Sequence, residues 1–242
     1  MTKYLKQNKV YQYLANAVWQ LYYILCSIPY YISGKQAVLV YVGVNRGRGL
    51  DSIRRQYKKI IAVEANPVMY DYLVKKFAKA KNITLIHAAA ADKAGTATLH
   101  LADNDGKSSS LGKVKEELKA SFLQTKTIAV PAINLCNTLQ QMGITHITHY
   151  ISDIQGMDLT VLTTMQPYIT NKLINYITSE VAKNEYKNIY ANIPDNSEAG
   201  FEALLTGNYT LCARGIGLLQ PNTFEPIPAH YWEMDCMWQV NK

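Results

Sequence analysis

Gly43, Gly47 and Gly49 fall in the segment Val42-Gly43-Val44-Asn45-Arg46-Gly47-Arg48-Gly49, directly after a run of strand-forming residues. Glycines at a strand-to-helix turn let the backbone approach a ligand closely and leave amide donors open at the helix start. Glu64 follows Gly43 by 21 residues and ends the next apolar run. An ionised carboxylate there offers two oxygens to the two hydroxyls of a ribose. Turn and acid together predict a nucleoside-containing cofactor. The glycine spacing is G-x-x-x-G-x-G, so an NAD-linked oxidoreductase would share Glu64 but lacks the G-x-G-x-x-G of dinucleotide binders. His146 and His149 have H-x-x-H spacing, but on a strand such side chains point to opposite faces and do not share a metal. No metal site is predicted.

From residue 37 strands and helices alternate to position these groups. Residues 37–42 read as a strand, and Leu50, Ile53 and Tyr57 mark the apolar side of a first helix. Residues 60–64 are a second buried strand. Asn66 followed by Pro67 is a cap with a favoured first helical residue, opening a helix to about residue 81. Residues 83–88 and 96–101 read as strands, and the polar stretch 103–126 as a loop with a helical turn. Further strands are expected at 127–133, 146–154, 172–181, 209–213 and 231–240, with helices at 135–142, 159–168 and 200–205. Repeated βα units imply an α/β protein with a mainly parallel sheet and helices on both faces. The last strands hint at antiparallel pairing at one edge.

The chain has 25 Lys and Arg against 18 Asp and Glu, a net charge of +7, and 48% hydrophobic residues. That is a packed globular composition, not a disordered one. Its basic residues are dispersed, without an aromatic-interleaved or recognition-helix pattern, so no nucleic-acid partner is expected. Cys26, Cys136, Cys212 and Cys236 form no C-x-x-C, which suits a reducing, cytoplasmic setting. Leu14, Val18, Leu21 and Leu25 fall at helical spacing. Residues 1–36 therefore read as a helical extension packed on the domain at 37–242 or on a partner, with membrane-surface contact or a targeting segment as the alternatives.

Five segments in order resemble the FkbM-type S-adenosylmethionine-dependent O-methyltransferases. They are Tyr41-Val42-Gly43-Val44-Asn45-Arg46-Gly47, Val63-Glu64-Ala65-Asn66-Pro67, Ala91-Asp92-Lys93-Ala94-Gly95, Ser109-Ser110-Leu111 and Ser152-Asp153-Ile154-Gln155-Gly156-Met157-Asp158. The resemblance spans residues 37–182. It implies a Rossmann-like class I methyltransferase fold, with a mainly parallel seven-stranded sheet and an antiparallel edge strand. By the same resemblance Gly43, Asn45 and Gly47 would surround the methionine part of S-adenosyl-L-methionine. Glu64 would hold its ribose with Asn66 beside it, and Ala91 and Asp92 would lie near the adenine. Ser109 and Ser110 would belong to a loop over the pocket, and Asp153 would face the methyl group and the acceptor.

A sulfonium methyl is already activated, so the protein's task is to align a nucleophile and take its proton. Asp153 is the candidate base, with Gln155, Asp158 and Glu180 as candidate acceptor contacts. The resemblance implies a carbohydrate or small-molecule acceptor; Arg46 and Arg48, if at the cleft mouth, would favour one carrying phosphate or carboxylate. Three positions depart from the family pattern: Tyr41 and Gln155 replace acids, and Ile151 replaces a lysine. Gln155 disfavours a metal-assisted mechanism. These departures also motivate the alternative of a cofactor-binding but inactive partner subunit.

Overall fold

The computed structural model describes residues 37–104, 106–118, 124–187 and 189–242. The helical extension expected at 1–36, and its boundary with the domain, lie outside the described residues.

The main sheet has seven strands: β1 Val38–Val42, β2 Lys59–Glu64, β3 Ile83–His87, β7 Ile147–Ser152, β8 Ile174–Ala182, β9 Tyr209–Gly215 and β10 Glu233–Val240. Their order is β3-β2-β1-β7-β8-β10-β9. The first five pair in parallel, whereas β10 runs against both β8 and β9, so the last edge is antiparallel. Strand order reverses between β1 and β7, and such a switch point opens a crevice at the carboxyl ends of the strands. The β-branched content of β1 and β2 is what two-sided burial requires. Val38, Val40 and Val42 enter one apolar cluster while Leu39 enters the other. Helices α1 Arg48–Ile53 and α2 Pro67–Lys76 cover the second cluster's face through Leu50, Ile53 and Leu73. The opposite face carries α3 Leu135–Gln141, α4 Asp158–Thr164, α5 Gln166–Thr170 and α6 Glu198–Leu205.

A second sheet was not anticipated. Strands β4 Ala89–Ala91, β5 Gly95–Ala102 and β6 Gln124–Asn134 pair in the order β4-β6-β5. The run of small alanines lacks the branched residues that mark strands in a sequence. It becomes a strand because β6 supplies a parallel partner. Strand β6 also begins three residues earlier than expected, inside the polar stretch, where Gln124 pairs with Ala102 of β5 across a register shift. That stretch otherwise holds a short 3-10 turn, Glu116–Leu118. Helix α2 stops at Lys76 rather than near 81, because the chain turns at buried Phe77 to enter β3. No described helix is long and apolar enough to cross a membrane.

Candidate active site

A cavity of about 400 Å³ opens at the carboxyl ends of β1, β2, β7 and β8, bounded on the other side by β4, β5 and the loop that follows β5. Gly43 forms its floor where β1 and β7 converge. Its amide donates to the Val63 carbonyl at 3.0 Å, and the Asp153 amide donates to the Val42 carbonyl at 3.1 Å. A Cβ on Gly43 would sit 1.9 Å from the Asp153 carbonyl oxygen, and its φ of +80° lies in the left-handed region. Glycine is the residue that permits this crossing.

Glu64 ties two loops together. Its Oε2 accepts from the Asn45 amide at 2.7 Å and its Oε1 from the Asn66 amide at 2.8 Å. An ionised carboxylate has about four acceptor directions. These amides leave the carboxylate acceptor capacity for a ligand in the cavity, which Glu64 lines. Burial raises the Glu64 pKa, and the amides of Asn66, Asn45 and Ala65 oppose that shift. Asn66 also lines the cavity, but its Oδ1 is committed to capping α2, accepting from Val68 at 3.0 Å. Beyond Ala102 the chain folds over this end. Ser109 Oγ accepts from the Ala102 amide, and Ser110 Oγ donates to the Gln155 carbonyl at 2.6 Å. Buried Ser110 thereby pins the loop to the segment after β7. Acceptor capacity on Glu64, a glycine floor and small alanines 88–90 on the wall fit an adenosyl group.

The other end is acidic. Asp153, Glu180 and Glu233 all line the cavity. Gln155, held at φ +56°, donates from Nε2 to Asp153 Oδ1 at 2.9 Å and to Glu180 Oε2 at 2.5 Å. Burial raises the Asp153 pKa, moderated by hydrogen bonds from Gln155 and Glu180. Burial raises Glu180 further, reinforced by the charges of Asp153, Glu233, Asp235 and Asp158. The same buried, acidic surroundings thus raise both carboxyls, which titrate as a pair.

Nine of the thirteen residues given site roles from the sequence line this cavity: Gly43, Asn45, Glu64, Asn66, Ser109, Ser110, Asp153, Gln155 and Glu180. Four do not. Gly47 is buried against α2, where a Cβ would meet Leu73 at 2.8 Å, so it serves packing. Ala91 is buried in the small sheet and Asp92 is exposed beyond it; the wall is built from Ala88, Ala89 and Ala90 instead. Asp158 is fully buried and accepts from the Ile154 and Gly156 amides at 3.2 and 3.3 Å, closing the turn before α4 rather than meeting a substrate. Arg46 and Arg48 are not among the lining residues either. Glu233 was missed, since a residue opening the last strand carries no local mark of what it faces. His146 and His149 have separate partners, Asn175 for the first and Tyr57 and Thr178 for the second.

The strand order, the central glycine turn and the acid ending β2 define a Rossmann-like class I methyltransferase fold. The methyltransferase FkbM domain matches residues 42–203, and the chain belongs to that family. Its methyl donor is S-adenosyl-L-methionine. Solved structures similar to the chain include an rRNA methylase from Streptococcus thermophilus, 9% identical, covering 92% of this chain and 95% of that one at a TM-score of 0.48. The N-methyltransferase NodS from Bradyrhizobium japonicum is also 9% identical, covering 92% and 94% at 0.48. Aeropyrum pernix fibrillarin, with natively bound S-adenosyl-L-methionine, is 8% identical, covering 84% and 66% at 0.44. Among curated proteins, none matches the sequence.

Proposed function

We propose that the protein is an O-methyltransferase acting on a hydroxyl of a sugar or other small acceptor. The observation that carries this reading is the pair Asp153 and Glu180, bridged by the Gln155 amide at one end of the cavity whose other end is Glu64. The sugar preference rests on family membership.

Glu64 would hold the ribose hydroxyls, Gly43 and Asn45 the methionine portion, and the alanine wall the adenine. When bound, S-adenosyl-L-methionine supplies a methyl whose bond to sulfur breaks, the electron pair staying on sulfur, as the bond to the acceptor oxygen forms. Asp153 takes the hydroxyl proton. A hydroxyl hardly ionises near neutral pH, so a positioned base is worth about a hundred- to ten-thousand-fold in rate. Gln155 holds Asp153 and Glu180 together, and its amide hydrogen bond favours the ionised form of Asp153 that accepts the proton. The loop pinned by Ser110 limits water access.

The test is methyl transfer to a panel of sugars, followed by mass spectrometry, with wild type and Asp153→Asn. Turnover should fall by about a hundred-fold or more in the variant, while cofactor affinity measured by calorimetry stays within about threefold. A variant that turns over normally overturns the role of Asp153. An inactive partner subunit is the second reading, favoured because Gln155 already occupies both carboxylates; any methylated product removes it.

A further inference from the structure

The acid at the far end of the cavity exceeds what one proton transfer uses. Glu233 opens β10 at the same sheet edge where β7 and β8 end, because β10 is antiparallel. Its neighbour Asp235 stands directly opposite Glu180 in the register. Asp235 is engaged by the Gly217 amide at 2.5 Å. Glu233 is not: its Oε1 is buried, lines the cavity and has no hydrogen-bond partner. A buried carboxylate oxygen without a partner costs the fold about 1–3 kcal/mol or more. Like charges facing each other across a ladder add to that cost.

Nothing among the described residues lends these carboxyl groups a positive charge. No Lys or Arg among the described residues pairs with Asp153, Glu180 or Glu233. Lys183, next to the strand end, donates to the carbonyls of Pro228 and Ala229 instead. Lys107 lines the cavity at the opposite end, next to Gly106, which approaches Asn66. Nor do three His, Cys, Asp or Glu side chains among the described residues converge as a metal cage would require. An acidic pocket end without its own counter-charge favours an organic cation as the complement.

Position along the sheet separates two sources for it. From β2, which carries Glu64, to β10 the order runs β2-β1-β7-β8-β10. Four strand spacings put these strands about 19 Å apart, and β10 about 10 Å beyond β7. The ribose-binding end is thus remote from Glu233, whereas an acceptor reaching Asp153 from beyond extends over β8 and β10.

Resting on the O-methyl reading above, we infer that the acceptor carries an ammonium group, as in an amino sugar, and that the unpartnered Glu233 carboxylate together with Glu180 receives it. This is opposite in sign to the anionic acceptor that Arg46 and Arg48 suggested.

The test titrates glucosamine, with glucose and N-acetylglucosamine as neutral twins, into protein saturated with S-adenosylhomocysteine near neutral pH, read by calorimetry. Glucosamine should bind at least about tenfold more tightly than either twin, the value of one charge-assisted hydrogen bond. Glu233→Gln should erase that preference and leave the affinity for S-adenosylmethionine unchanged, which also reports that the variant folds. Equal binding of the three sugars, binding of none, or a preference surviving in Glu233→Gln overturns the inference. A variant that loses affinity for S-adenosylmethionine assigns the carboxylate to the cofactor's own ammonium and overturns it too. Mass spectrometry of glucosamine incubated with active protein keeps the two readings apart. Preferential binding with methyl on nitrogen, or with no methyl transferred, retains the cationic site and rejects the O-methyl reading.

Discussion

Glu64 accepts backbone amides from the loops after β1 and β2 and also lines the cavity. Glu64→Ala removes charge-assisted hydrogen bonds to a ligand and the brace that shapes its seat. Calorimetry should show S-adenosylmethionine binding weakened by about 10- to 100-fold, from about 1.5–3 kcal/mol for such bonds. Gln155 is placed differently. Its Nε2 donates to both Asp153 and Glu180, and a donor to a carboxylate lowers its pKa. Gln155→Ala should therefore raise the pKa of the base, and the rising limb of the rate against pH should move to higher pH. A limb that stays in place would show that Gln155 does not tune Asp153. The glutamine that looks like a lost acid in the sequence is, by its contacts, a clamp on two acids.

At the scale of elements, α2 begins where Asn66 accepts from Val68 and Met69, with Pro67 at its first position. Asn66→Ala should cost about 1 kcal/mol, which for a chain of this size lowers the melting temperature by about 2–4 °C. Because Asn66 also lines the cavity, binding of S-adenosylmethionine should weaken in the same variant. Gly43 is under a harder constraint. A Cβ there would overlap the Asp153 carbonyl, so Gly43→Ala must part β1 from the end of β7. Thermal melts should show a loss well above the ordinary 0.5–3 kcal/mol of single substitutions. Tyr41, the residue that departs from the family's acid, packs over Gly49, where a Cβ would lie 2.6 Å from its hydroxyl.

For the whole molecule, buried acids set the dependence on pH. Burial, with neighbouring charge, raises Glu233 to about 8, and burial raises Asp158 and Asp235 to about 7. Each binds its proton more tightly in the folded state than in the unfolded chain. Their stabilising contribution is therefore full below the ordinary carboxylate range and is lost as pH rises through about 7 to 8. The melting temperature of the ligand-free protein should fall from pH 5 to pH 8, and Glu233→Gln should flatten that fall. A melting temperature that rises across the interval would contradict the acid cluster.

The sequence by itself determined the alternation of strands and helices, the glycine bend, the acid ending β2 and the Asn66-Pro67 helix start. Each is written in neighbouring residues, through hydrophobic period, cap chemistry or the steric freedom of glycine. It also carried the family, because five motifs kept their order and spacing. Only the tertiary structure decided that Gly47 packs on α2, that Asp158 closes a turn, that the alanine run is a strand, and that Glu233 shares a cavity with Glu180. Those outcomes depend on which strand lies beside which, and antiparallel β10 brings its first residue to the cavity near Glu180 from more than fifty positions away in the chain. Local patterning fixes what a segment becomes; the pairing of distant strands fixes whose side chains meet.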